Sequence, residues 1–210
     1  MKVALYGATG KSGSRILAEL VARGHEVTAI VRDPSKLPNP GRGVVVKQDD
    51  LSDPKDIAAA INGAEVTVSA YAPPQGDPDE IVDVTQRQVD AIKLAGKSRL
   101  LVVGGAGGLN VAPGVTLIDS GFLPDAYQPI AKAHVKALNV LKRSTIDWTY
   151  LAPAAYFIPG ERTGKFRLGT DELIADEQQQ SRISMEDYAI ALVDEIEAPK
   201  HRRARFAVGY

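Results

Sequence analysis

The sequence predicts an α/β protein: a Rossmann-type, doubly wound, mostly parallel sheet with helices on both faces and a small irregular C-terminal lobe. Three observations predict it. Runs rich in Val, Ile, Leu and Ala ("VALY", "EVTAIV", "EVTVSA", "RLLVV") recur along the chain, the pattern of strands buried on both faces. Segments with apolar residues at helical spacing alternate with them, as in βαβ architectures. The first strand runs directly into a glycine-rich turn, "GATGKSG", that opens a helix.

Residues 3–6 form that first strand, and the turn after it admits two readings. Gly10-Lys11-Ser12 resembles the end of a triphosphate-binding loop, which needs another glycine five positions before Gly10. Leu5 stands there, inside the strand, so the loop is too short and the triplet is accidental. Gly7, Gly10 and Gly13 instead fit a dinucleotide-binding turn, completed by Thr9, Lys11 and Ser12. Gly7 allows the tight turn, Gly10 the approach of a pyrophosphate, and Gly13 close packing of helix on strand. The helix N-terminus adds partial positive charge and free N–H groups. That helix starts with capping serines, carries Ile16, Leu17, Leu20 and Val21 on one face, and stops at Gly24.

"EVTAIV" is the second strand, and "RDPSKLPNPGRG" after it is a Pro/Gly-rich loop with little room for a helix. At this place an acidic residue suits the 2′-hydroxyl of NAD and an arginine the 2′-phosphate of NADP. Arg32 comes first, with Asp33 behind it and Lys36 close by. The planar guanidinium favours NADP(H) over NAD(H), while Asp33 keeps NAD(H) open. "VVVKQDD" is the third strand, followed by Asp50 and Leu51 where they could flank an adenine. "DPKDIAAAIN" is a short helix capped by Asp53, "AEVTVSAYA" the fourth strand, "PPQGDPDE" a turn, residues 81–95 a helix, and "RLLVVGG" the fifth strand. Ala70, Tyr71 and Gly104 end strands on the carboxyl edge of the sheet; small residues there could admit the cofactor or simply make tight turns.

Residues 106–128 make a long loop of the kind that covers sites. A helix follows over about 129–143, then a sixth strand in "DWTYLAPAAYF" that ends at Pro153. Residues 158–184 read as turns and short strands, and residues 153–184 as the substrate-side lobe of a single domain spanning 1–210. "SMEDYAIALVDEIE" is a helix with a capping box from Ser184 to Asp187. "RARFAVG" is the last strand, and "KHRRAR" before it reads as a solvated strand entry.

Composition narrows the chemistry. The 210 residues are 44% hydrophobic with a formal net charge of −1, which suggests neither nucleic acid nor an anionic membrane as partner. The chain has no cysteine, so disulfides, thiol nucleophiles and thiolate metal sites are excluded, and no metal site is expected. No apolar run approaches the roughly 20 residues of a membrane span, and nothing signal-like precedes the first strand, so a cytoplasmic location is expected.

"GATGKSG", "HEVTAIVRDPSKL", "VVGGAGGL", "AKAHVKALNVLK", "DWTYLAPAAYF", "PGERTGKFRLG" and "SRISMEDYAIALVDE" together resemble the atypical short-chain dehydrogenase/reductases. Within them the chain is most similar to bacterial NADH-flavin reductase-like proteins, which are similar to biliverdin-IXβ/flavin reductase, and more distantly to NmrA-like and isoflavone-reductase-like proteins. The resemblance covers nearly the whole chain. It implies NAD(P)H at the glycine turn and a small planar acceptor over the nicotinamide, with FMN as one possible substrate.

The pattern departs from the family where catalysis is concerned. Classical members use Tyr-x-x-x-Lys, in which the phenol protonates a carbonyl oxygen and the lysine lowers its pKa. Here Ala131 stands four positions after Tyr127, with Lys132 one residue too late. The serine that the flavin/biliverdin reductase group places after the fifth strand is replaced by Gly107 and Gly108. By resemblance the catalytic candidates are Lys132, as in the isoflavone-reductase-like group, and His134, as in the biliverdin-IXβ reductase-like group. Two residues apart on a helix, they point in different directions. His134 shares an apolar stripe with Ile130, Ala137 and Leu141, which reads as a packed histidine; Lys132 also reads as an exposed cation. Tyr71, Tyr127, Tyr156, Phe157 and Pro153 come from segments that could wall the nicotinamide pocket.

The expected function is an NAD(P)H-dependent reductase of a flavin, quinone or other conjugated acceptor, acting as a monomer or homodimer. The alternative is a non-catalytic NADP(H)-binding sensor of the NmrA-like kind, with residues 106–128 as its reporting element.

Overall fold

A computed structural model describes residues 1–73, 76–96 and 98–210 of the chain. Its elements are, in order, β1 (Lys2–Tyr6), α1 (Lys11–Ala22), β2 (Glu26–Val31), β3 (Val44–Gln48), α2 (Pro54–Ala60), β4 (Val66–Ser69), α3 (Glu80–Ala95) and β5 (Arg99–Val103). Then follow β6 (Asn110–Ala112), β7 (Val115–Thr116), α4 (Gln128–Arg143), β8 (Trp148–Pro153), β9 (Tyr156–Ile158), β10 (Arg167–Gly169), β11 (Arg182–Ser184), α5 (Met185–Glu197) and β12 (Ala204–Gly209). Residues 74 and 75, inside the turn expected over 73–80, lie outside the described residues.

Eight strands form one sheet in the order β3-β2-β1-β4-β5-β8-β12-β10, parallel throughout except for β10 against β12. Strand alternation sends side chains to two cores. Val3, Leu5, Val27 and Val68 pack with Ile16 and Leu20 of α1 and Tyr188 and Leu192 of α5. Ala4, Tyr6, Ile30, Leu100, Trp148 and Tyr150 pack on the other face with Ile57, Val84, Val89 and Leu141 of α2, α3 and α4. The strand order reverses between β1 and β4, where Tyr6 pairs with both Ile30 and Ser69. A reversal of this kind opens a crevice at the carboxyl edge of the sheet, between helices that leave on opposite faces.

The structure differs from the sequence reading where backbone chemistry is local. The Pro-rich loop after β2 does hold a helical turn, a 3-10 turn at Pro34–Lys36, because Asp33 caps it by accepting from the Ser35 N–H at 3.0 Å. The fourth strand is shorter than expected, ending at Ser69. The long loop over 106–128 is stitched by the β6/β7 hairpin and two 3-10 turns, Ala106–Gly108 and Asp125–Tyr127. Within 153–184, β9 pairs with β11 in a separate two-stranded sheet, whereas β10 extends the main one.

Only half of the expected capping box forms. Ser184 Oγ accepts from the Asp187 N–H at 3.0 Å, but the Asp187 carboxylate does not return the bond. Fully buried, it accepts instead from the Thr163 hydroxyl at 2.5 Å, the Gly164 N–H at 2.8 Å and the Tyr210 hydroxyl at 2.8 Å. One carboxylate thereby ties α5 to the strap between β9 and β10 and to the end of the chain. The "KHRRAR" stretch is likewise not merely solvated: Arg202 pairs with Asp147, Arg205 with Asp171, and His201 pairs with Glu195 while stacking on Phe206.

Burial alone would raise the Asp187 carboxyl, but its three donors outweigh that and hold it below the usual carboxylate range. Glu195 behaves in the same way, burial being outweighed by Arg99 and His201. A carboxyl with a depressed folded-state pKa binds more protons in the unfolded chain, so its stabilisation is complete above the unfolded value and lost as pH falls through the folded one. The contribution of these two carboxylates to the urea midpoint should therefore be nearly flat above pH about 5 and fall steeply below pH about 4. Asp187→Ala, which removes one buried acceptor from three donors on exposed or half-buried residues, should cost on the order of 1–2 kcal/mol and flatten part of that acid limb, as read by urea unfolding at several pH values.

Candidate nucleotide-binding site

The glycine turn after β1 is close-packed backbone on backbone. Gly7 has φ +81°, and a Cβ there would lie 2.3 Å from the Ala70 carbonyl oxygen. A Cβ on Gly13 would lie 2.0 Å from the Gly7 carbonyl oxygen. The turn closes through the Gly10 N–H, which donates to the Gly7 carbonyl at 2.8 Å. The serines expected to cap α1 do not: Gly10 is the N-cap, no side chain caps the helix, and its first turn carries no acidic residue. Ser14 Oγ donates to the Lys11 carbonyl instead. The helix thus starts with free N–H groups and roughly half a positive charge. Thr9, Gly10 and Lys11 are exposed there and Ser12 is half-buried. This cradle, too tight for any Cβ at Gly7 or Gly13 and left without a competing acid, fits a pyrophosphate.

On the β2–β3 side, Arg32 and Lys36 are exposed. Asp33, the residue that could have served a ribose hydroxyl, is engaged: its Oδ1 accepts from both the N–H and the hydroxyl of Ser35, at 3.0 and 2.7 Å. Those bonds hold its carboxyl below the usual range. Among the described residues the Arg32 guanidinium forms no ion pair. Asp50 accepts from the Ser52 N–H at 2.9 Å, and Leu51 beside it is buried with φ +66°. A left-handed conformation costs a leucine on the order of 1 kcal/mol, so the surroundings must impose it. Asp49, just before, accepts from the buried Tyr6 hydroxyl at 2.6 Å. Tyr71 after β4 is half-buried and donates to Glu80 Oε2 at 2.6 Å; burial and that carboxylate raise its pKa.

At the β5 end the small residues serve packing. A Cβ on Gly104 would lie 2.2 Å from the Tyr150 ring, so this glycine makes room for a tyrosine of β8. The Gly105 N–H donates to Tyr150 Oη at 2.9 Å, and Tyr150 Oη lies 3.4 Å from His134 Nδ1. His134 packs against Gly105, and burial pushes its pKa down to about 4. Burial likewise raises the Tyr150 pKa above the usual phenol value. Both groups are therefore neutral at physiological pH, with the Tyr150 hydroxyl held between the Gly105 N–H and His134 Nδ1.

Lys132 points elsewhere, as its helical offset requires. It is exposed beside Pro78, Asp79, Asp125, Gln128 and Lys136, and Lys136 pairs with Asp79. The two catalytic candidates do not share a wall. Of the expected pocket residues, Pro153 is buried, Phe157 packs on Tyr188 with ring centroids 4.6 Å apart, and Tyr127 and Tyr156 are exposed. Sequence reading missed Tyr150; the signal for it was its place in a fully buried strand facing two glycines.

The reversed strand order, the Cβ-free turn and the uncapped helix above it define a dinucleotide-binding Rossmann protein. The chain belongs to the NAD(P)H-binding family, whose profile matches residues 7–199. It is 40% identical to the uncharacterized protein YwnB of Bacillus subtilis, over 99% of this chain and 98% of that one. Solved structures are similar over its whole length, three of them at 33–49% identity. A Burkholderia pseudomallei protein named provisionally as exported is 49% identical, with all of that chain covered and a TM-score of 0.91. A Bacteroides thetaiotaomicron protein named provisionally as an epimerase is 44% identical, with 96% of that chain covered and a TM-score of 0.93. A Streptococcus pneumoniae protein named provisionally as an NADH-flavin reductase is 33% identical, with 99% of that chain covered and a TM-score of 0.89. No helix among the described residues is long and apolar enough to cross a membrane.

With its folded pKa about 4 against about 6.5 unfolded, His134 should stay neutral down to pH about 5. Its imidazole proton resonances, followed by NMR from pH 8 to 4, should show no titration near pH 6.5. Because the unfolded chain protonates first, His134 also contributes a loss of stability as pH falls between those two values.

Proposed function

We propose that the protein is an NAD(P)H-dependent reductase of a flavin, quinone or other conjugated acceptor, with NADP(H) preferred and the cytoplasm as its compartment. The observation that carries the proposal is that, among the described residues, the titratable groups at the β5 end are poor proton donors at neutral pH. Reduction of a carbonyl or epimerisation of a sugar needs a group that gives or takes a proton at the reacting oxygen. Here the Tyr-x-x-x-Lys pair is missing, His134 is neutral with a strongly lowered pKa, and burial raises the Tyr150 phenol above its usual pKa. A conjugated ring system takes hydride into a delocalised framework and draws its proton from solvent, so the protein need only hold two rings in register. The provisional name of the Streptococcus relative points the same way.

Bound NAD(P)H would supply the hydride. This chain's residues would do the rest. The N–H groups at Lys11, Ser12 and Gly13, with Thr9, would hold the pyrophosphate, and Gly10, whose own N–H closes the turn onto Gly7, would let it approach the backbone. Arg32 and Lys36 would take the 2′-phosphate, a role favoured by the engagement of Asp33 with Ser35. Asp50, Leu51 and Tyr71 would border the adenosine. Ala70, Gly104 and Pro153 would back the nicotinamide half, with the Tyr150–His134 pair fixing the turn at Gly105. Lys132, exposed at the rim, would meet the acceptor's outer edge rather than its reacting atoms.

Purified cofactor-free protein should oxidise NADPH, followed by absorbance, with saturable dependence on FMN, riboflavin or a quinone and without turnover of simple carbonyls. Lys132→Ala should raise the KM for an anionic acceptor several-fold and change kcat little. Tight NADPH binding with no turnover on any acceptor would instead favour a non-catalytic sensor. Arg32→Ala should weaken NADPH at least tenfold and NADH less than threefold in equilibrium titrations; equal losses would remove Arg32 from the site.

A further inference from the structure

We propose that Arg87, on α3 between α2 and α4, is a positioning residue for the adenosine half of the nucleotide. It fixes the left-handed turn after β3 by donating to the Leu51 carbonyl.

Leu51 is the residue that ends the β3 side of the crevice, and its φ of +66° is one that a leucine does not adopt unaided. Two contacts impose it. The Leu51 side chain is buried in the same apolar cluster as Tyr6, Ile30, Ile57 and Val84, which fixes where its Cβ must go. Arg87 Nη1 donates to the Leu51 carbonyl oxygen at 2.6 Å, across 36 residues of sequence, and fixes where the peptide plane must go. The two together set the orientation of the 50–52 backbone, which carries the exposed Asp50, itself bonded to the Ser52 N–H. The polar groups that face the crevice from this turn are therefore aimed by a cation on a neighbouring helix. Propensity within the loop does not aim them.

Arg87 also sits where charge matters. It bears on Asp50 and, with Arg32, on the Tyr71 phenol. Two guanidiniums thus converge on the β2–β4 end of the crevice from different elements. Their roles differ: Arg32 is exposed and has no ion pair among the described residues, whereas Arg87 is half-buried and committed to a backbone carbonyl. Arg32 can contact a 2′-phosphate; Arg87 acts through the turn it holds, so its effect is common to both nucleotides.

The inference rests on nucleotide binding at the glycine turn and is independent of the acceptor. It is tested on the full chain with Arg87→Gln and Arg87→Lys, measuring dissociation constants for NADPH and NADH, displacement of NADPH by 5′-AMP, and the melting temperature without ligand. Arg87→Gln should weaken NADPH and NADH alike by at least tenfold, and 5′-AMP by the same factor, because the loss lies in the half they share. Arg87→Lys, which still donates to the carbonyl, should recover most of the affinity. An unchanged NADPH affinity would overturn the proposal. So would a loss confined to NADPH, an undiminished 5′-AMP, or a lysine variant as weak as the glutamine one with a matching fall in melting temperature. Wild-type protein that bound neither dinucleotide would overturn the nucleotide reading itself, an outcome distinguishable before any variant is made.

Discussion

The constraint on which the rest depends is the contact of the Gly7 peptide with the first turn of α1 and the end of β4. A Cβ at Gly13 would sit 2.0 Å from the Gly7 carbonyl oxygen, and one at Gly7 would sit 2.3 Å from that of Ala70. No side-chain adjustment relieves a clash of backbone with backbone, so these two positions exclude every other residue. The same contact brings the N-terminus of α1 against the strand edge and leaves its N–H groups facing the crevice. Fold and phosphate site are thus one piece of geometry.

Charge is distributed unevenly around that piece. Away from the crevice it is heavily paired. Arg23 bridges Glu19 of α1 to Asp194 and Glu197 of α5, and Arg162 of the strap adds a second cation on Glu19. Arg99 and Glu195 form a buried pair at the opposite edge of the sheet, supported by Thr149 and His201. Buried pairs of this kind contribute little net stability, but removing one partner is costly. At the crevice the pattern reverses: α1 lacks an acidic first turn, Asp33 is engaged with Ser35, and Arg32 is exposed. An exposed cation and free N–H donors are thus left where an anion would bind.

The interior of the crevice is chemically quiet. Tyr150 and His134 are held neutral by burial, in opposite directions from their usual titrations, and they satisfy each other and Gly105. Such a pair fixes geometry and is a poor proton donor at neutral pH. That suits a site whose task is alignment of two ring systems, and it is the physical reason for favouring a conjugated acceptor over a carbonyl.

The sequence by itself determined the α/β class, the order of most strands and helices, and the glycine turn, because these rest on local periodicity and on steric rules that act within a few residues. Its family resemblance was equally legible, since the motifs that carry it run through nearly the whole chain. Tertiary structure decided what depends on distant partners. Asp187 abandons its box for Thr163, Gly164 and Tyr210. Residues 167–169 join the main sheet because the last strand offers them an edge. Gly104 is small on account of Tyr150, and Leu51 is held left-handed by Arg87. Periodicity reports which face of an element is buried; it carries no information about which side chain from 36 or 46 positions away will fill that face or hold its backbone.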